Sequence, residues 1–154
     1  MENSFEARLR ELGIDLPAAP APLANYVPFT ISGSLLFLAG QGPRAADGRW
    51  MEGRVGEDVS AEDAYRHARL AGLRLLAAVQ AALGSLDRVR RVLKVTGFVN
   101  AAADFGGHPA VINGCSDLFV EVFGEAGRHA RSAIGVASLP HNITVEVEAV
   151  LEIG

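Results

Sequence analysis

The sequence predicts an α+β domain, a mixed β-sheet carrying two long helices on one face. Three observations lead there. Two segments, from Ser60 to Gly84 and from Pro109 to Phe123, carry apolar residues at helical spacing. β-rich runs surround them in the order β-β-α-β-α-β-β. The last run alternates cleanly, with Ile143, Val145, Val147, Ala149, Leu151 and Ile153 on one face and Thr144, Glu146, Glu148 and Glu152 on the other. The apolar face calls for helices against it, and the opposite face must be solvated or covered by something else.

Each element has a local reason. Residues 4–12 form a short amphipathic helix, with Ser4 as cap, Phe5, Leu9 and Leu12 on one face, and Gly13 as its end. Pro17, Pro20 and Pro22 among alanines then make an extended, semi-rigid connector. Residues 1–20 therefore read as an N-terminal extension and connector, and 21–154 as the domain proper. Tyr26 to Ile31 and Leu35 to Ala39 flank Ser32-Gly33-Ser34 as a hairpin. A glycine-rich loop, Gly40 to Trp50, follows. Ser60 and Asp63 make a capping-box-like start for the first long helix, whose core positions are mostly alanines, and Gly84 suits its left-handed cap. Val89 to Val99 is a β-branched strand, and Gly124 and Gly127 end the second long helix. Arg131 to Ser138 is a strand that the Leu139–Asn142 turn is expected to return, antiparallel, into the final strand.

A chain of 154 residues suits one core without disulfides. The net charge of −4 gives no general attraction for phosphate backbones, which argues against a nucleic-acid partner. Cys115 is the only cysteine, so neither an internal disulfide nor a multi-cysteine zinc site can form in one chain, and a reducing cytoplasm is the expected compartment. The charged N-terminus lacks a signal-peptide core, and no apolar run reaches membrane-spanning length. His67, His108, His129 and His141 have no metal-motif spacing, so no metal site is expected.

The segment Arg131-Ser-Ala-Ile-Gly-Val-Ala-Ser-Leu-Pro140 carries the most information. In a strand, Arg131 shares a side with Ala133, Gly135 and Ala137. An arginine beside small residues can grip a carboxylate with two parallel hydrogen bonds, or it can be a solvated strand-end residue beside a close subunit contact. Glu146 and Glu148 mark a solvent face, or one of them positions a water and moves a proton. His129 could serve proton transfer in the same pocket or bond to loop backbone. Cys115 reads as a small buried apolar group before it reads as a pocket nucleophile.

Arg-Ser-x-x-x-Val-Ala-x-Leu-Pro followed by Val-Glu-Val-Glu-Ala resembles the C-terminal motif of the Rid family, the YjgF-type reactive-intermediate deaminases, also called endoribonuclease L-PSP-like. Tyr26-Val27, Ala39-Gly40-Gln41, the strand from Val95 to Asn100, and Asn113 agree with that family in order and spacing, over roughly residues 24–152. The resemblance implies a chorismate-mutase-like fold and a homotrimeric barrel with clefts between subunits. It implies hydrolytic deamination of an enamine or imine derived from an amino acid, without a cofactor. Arg131 would bind the substrate carboxylate, Glu146 would position the attacking water, and Tyr26, Asn113, Ser132 and Ala133 would complete the site, with His129, Gln41 and Cys115 as further pocket candidates. His129 replaces a typical proline, Ala133 a frequent cysteine, Gly135 an often charged residue and Ala39 a serine. The alternative is a trimer that binds a small carboxylate and performs no chemistry. Endoribonuclease or chorismate mutase activity has less support: the first needs a basic surface, and the second several cations around a dicarboxylate.

Overall fold

The computed structural model describes residues 4–22 and 24–154. Helix α1 (Phe5–Glu11) precedes strands β1 (Phe29–Ser32) and β2 (Leu35–Gln41). Helix α2 (Ala61–Leu83) leads to β3 (Val89–Asn100), α3 (His108–Phe123), β4 (Ala130–Val136) and β5 (Val145–Ile153). The strands form one sheet in the order β1-β2-β5-β3-β4. Only β3 and β4 run parallel, joined by α3 as the crossover.

The caps are those the sequence specifies. Ser60 Oγ accepts from the Asp63 amide at 3.1 Å, and Gly84 closes α2 at φ 78°. The first strand is shorter than expected. It starts at Phe29, because Pro28 offers a carbonyl to the Ala39 amide but has no N–H of its own.

The core lies between the sheet and the pair α2/α3. Val145, Val147, Ala149, Leu151 and Ile153 of β5 meet Ala64, Ala68, Ala71 and Leu75 of α2 within one buried cluster. The small residues also let the two helices touch. Gly72 lies against Cys115 and Leu118, and a Cβ on Gly114 would run into the Tyr65 carbonyl.

One expectation is corrected. β4 and β5 do not form a hairpin: β5 crosses the end of β3 and slots between β2 and β3. The parallel crossover through α3 puts β4 on the outside of β3, so the inner position is left for β5, whose fully alternating pattern buries a whole face. His141 and Asn142, both at φ 56°, redirect the chain there. The N-terminal helix packs against the domain. Leu9 is buried, Phe5 packs edge-on against Phe123 at 4.9 Å, and the Glu6 carboxylate accepts from the Leu86 amide at 2.8 Å.

Among the described residues no helix lies over the far face of the sheet. Phe37 and Ile134 remain 41% and 47% exposed there, next to the partly buried Phe98 and Val150. No helix among the described residues is long and apolar enough to cross a membrane.

Gly114→Ala is expected to lower the urea midpoint of unfolding by the equivalent of about 3 kcal/mol, since the new methyl meets fixed helical backbone rather than a side chain that can swing away.

Candidate functional site

The predicted site residues fall into two groups on opposite faces of the sheet. The first group surrounds Arg131. In the parallel pair, Arg131 stands beside Val95, which is buried on the helix side, so its side chain rises toward α3. One terminal nitrogen donates to Asn113 Oδ1 at 2.7 Å and to Ser116 Oγ at 3.1 Å, and the other reaches the Pro109 carbonyl at 3.4 Å. All these acceptors are neutral. Among the described residues no carboxylate lies within ion-pair distance of Arg131.

His129 belongs to the same cluster. Its Nδ1 donates to the Gly127 carbonyl at 2.6 Å, which leaves Nε2 to accept from Ser116 Oγ at 2.9 Å. Burial lowers the imidazole's pKa, and nearby Arg131 lowers it further against the Gly127 bond, so the neutral ring suits that arrangement. Ser116 thus gives its hydrogen to His129 and its lone pair to Arg131.

The small residues after Arg131 do not leave open space on that side. His108 sits over Gly135, and Ala133 packs on the core. Ser132 is exposed on the opposite face. β4 is an edge strand, so half of its backbone groups, those pointing away from β3, have no ladder partner among the described residues. Cys115 is fully buried, and burial pushes its thiol far up; the residue is core, not pocket.

The second group gathers around Glu146, across the sheet. β2 shifts register between Leu38 and Gln41, and the irregularity places Gly40 under the Glu146 side chain. A Cβ at Gly40 would come within 2.6 Å of Glu146 Oε1, so the carboxylate lies directly on the backbone. Glu146 is half-buried. Burial raises its pKa, and the neighbouring Glu148 raises it further.

Glu146 lines a cleft of about 800 Å³ with Tyr26, Gln41, Trp50, Arg74 and His141, closed on one side by the connector Pro17–Ala21. Tyr26 is 51% exposed. Gln41 is buried, and its Oε1 accepts from Arg74 Nε at 3.2 Å. Arg74, Arg44 and Trp50 escape sequence reasoning. The one available signal was that Arg74 is the sole charged residue between Leu70 and Leu86. Among the described residues no group of histidine, cysteine or carboxylate side chains could hold a metal ion.

Residues 6–153 match the family described as YjgF/chorismate mutase-like, a description that also carries the word endoribonuclease. The chain belongs to this family. A relative, protein TCP17 of Trypanosoma cruzi, is 47% identical over 96% of this chain and 92% of its own. The crystal structure of Atu1372 from Agrobacterium tumefaciens, described as of unknown function, superposes with a TM-score of 0.90 at 50% identity, covering 97% of this chain and 92% of that one. More distant relatives carry names or ligands that bear on function. A 2-iminobutanoate/2-iminopropanoate deaminase of Dermatophagoides farinae is 29% identical over 91% of this chain and 94% of its own. The structure of E. coli TdcF with bound serine aligns at a TM-score of 0.59 and 27% identity, over 88% of this chain and 94% of that one. The match begins within α1, so the family's pattern takes in most of the docked helix.

Glu146 yields a stability prediction. A carboxyl whose folded-state pKa is raised binds its proton more tightly in the native chain, so its contribution is present below the unfolded value and lost as pH rises through the folded one. Glu146→Gln should therefore be more stable than wild type at neutral pH, and the gain should vanish on acidification below the ordinary carboxylate range. Urea midpoints of the two proteins across that pH range check the sign.

Proposed function

We propose that this YjgF-family protein hydrolyses an enamine or imine derived from an amino acid, in a carboxylate-binding cleft between subunits of a homotrimer. The observation that carries the reading is the separation just described. One face, at the β4 edge, presents Arg131 with no carboxylate in ion-pair distance among the described residues, and the other face presents a half-buried carboxyl of raised pKa in one cleft with Tyr26. These are complementary halves of a site for an acid with an adjacent C=N bond. The deaminase name of the Dermatophagoides farinae relative and the serine in TdcF support an amino-acid-derived ligand.

The chemistry asks little of the protein. Arg131 of one subunit holds the carboxylate, with Asn113, Ser116 and His129 fixing the guanidinium. Tyr26 and the backbone at Ser132 and Ala133 bound the ligand. Glu146 of the adjoining subunit takes a proton from water as its oxygen attacks the imine carbon. The nitrogen gains that proton, giving a carbinolamine; its hydroxyl proton then passes to the nitrogen as the C–N bond breaks, so that ammonia departs and the C=O of a 2-oxo acid remains. An enamine first takes a proton on carbon and gives one up from nitrogen to become the imine. An elevated pKa brings Glu146 nearer the operating pH, where a general base is most effective. No cofactor enters this scheme. The uncovered sheet face, with Phe37 and Ile134, is the surface the trimer would bury. The buried lone thiol fits a reducing cytoplasm, and the net charge of −4 fits a small acid rather than nucleic acid as ligand.

Arg131→Lys keeps the charge but loses the forked geometry, and should weaken binding of small 2-oxo acids; Arg131→Ala should abolish it. Glu146→Gln should leave that binding within a few-fold and slow imine hydrolysis about 10²-fold or more. Calorimetry and a semicarbazide-competition assay on the same preparations measure both. Unchanged turnover in Glu146→Gln would leave a ligand-binding trimer without chemistry as the better reading. Sedimentation equilibrium should give three chains per particle.

A further inference from the structure

Arg74 is anchored without being neutralised. It projects from the middle of α2 into the cleft, half-buried, with Gln41 Oε1 as its hydrogen-bond acceptor. Its guanidinium lies over the Trp50 ring at 5.2 Å from the centroid, and that of Arg44 lies over the same ring at 5.3 Å. One indole therefore gathers two cations. Among the described residues, neither arginine has a carboxylate within 4.0 Å. Burial lowers the pKa of Arg74 and the proximity of Arg44 lowers it further, the mark of a cation held against both desolvation and like charge. An anion reaching both guanidiniums would relieve that repulsion and satisfy donors that Gln41 leaves open.

Around these charges the cleft is largely apolar, lined by Pro17, Ala18, Leu70, Leu73 and Ile143, with Asp15 also on its wall, and at about 800 Å³ it exceeds what a three-carbon imine fills. Glu146, Arg74 and Arg44 all line it. A ligand with its reacting carbon at Glu146 would thus extend toward Arg74.

We propose that Arg74 and Arg44, held by Gln41 and Trp50, form a second anion subsite within each chain, and that the cleft's ligand is a dicarboxylate whose distal acid group docks there. This deepens the deaminase reading and rests on it only for the order of groups along the ligand: proximal carboxylate at Arg131 of a neighbouring copy, C=N at Glu146, distal carboxylate at Arg74. The substrate class would be imines of acidic amino acids.

Succinate and butyrate are suitable probes because they share a four-carbon backbone and differ by one carboxylate. By calorimetry on the full chain, wild type should bind succinate at least 10-fold more tightly than butyrate. Arg74→Gln should bring the two within a factor of about two, and Arg44→Gln, at the exposed rim, should reduce the preference part-way. Arg74→Lys should restore it in part, since the charge remains while the fork is lost. Equal affinities in wild type, or a preference that survives both Gln variants, would overturn the subsite. The imine assay separates this from the broader reading. A succinate preference without imine turnover would retain the subsite and remove the deaminase, whereas turnover indifferent to a distal carboxylate would do the reverse.

Discussion

β5 lies between β2 and β3 with helices on one side of it only, and its two faces consequently do different work. Toward α2, Val145, Val147, Ala149, Leu151 and Ile153 are all 5% exposed or less. Away from α2 stand Glu146, Glu148, Val150 and Glu152. A slip of one residue would drive the carboxylates into the core and the valines out of it. The hydrophobic register that holds the sheet to its helices therefore also fixes Glu146 over Gly40. That half-buried position, with Glu148 nearby, gives its carboxyl the raised pKa. By occupying the inside of β3, β5 also leaves β4 at the edge, with Arg131 on it.

Much of this was legible in the residues because it rests on periodicity and caps. Ser60 and Gly84 bound α2 as their chemistry dictates, and the alternation of β5 marks its buried face. The strand order was not legible from local pattern. A turn at Leu139–Asn142 between two strands looks the same whether the chain folds back on itself or crosses a neighbour, and only the competition for the place beside β3 decides it. The docking of α1 was obscured for a similar reason. Its apolar stripe was visible, but Leu86, Asp87 and Phe123, which receive it, lie more than seventy residues away. In the candidate site, motif resemblance singled out Arg131, Asn113, Tyr26 and Glu146, whereas Arg74, Arg44 and Trp50 belong to no motif. Their meeting depends on a loop, a helix and a strand converging, which nothing in their spacing reveals.

The two arginines show different ways of keeping a cation available. Arg131 is held by oxygens that carry no full charge: an amide, a hydroxyl and a carbonyl. These orient the guanidinium without cancelling it, and His129, bonded to Ser116 on one side and Gly127 on the other, stiffens the hydroxyl. Arg74 is held by an amide and an aromatic face. A carboxylate in either place would have bound more strongly and left nothing for a ligand. The chain carries 18 acidic residues against 14 basic ones, so the absence of an ion pair at either arginine among the described residues is not a shortage of carboxylates.

Geometry then constrains how the halves can act together. Glu146 stands beside Phe98 on β3, and Phe98 beside Ile134 on β4, all on the open face. Arg131 is three residues back along β4 and faces the helices. The sheet itself lies between the two side chains, and no rotamer of either carries it through hydrogen-bonded backbone. If one reaction uses both groups, one of them must come from another copy of the chain. The exposed phenylalanine and isoleucine of the open face, together with the unpaired edge of β4, are the surfaces on which such copies would meet. Assembly would then do two things at once: remove apolar surface from water and bring an uncompensated arginine to a carboxyl already displaced from its ordinary pKa.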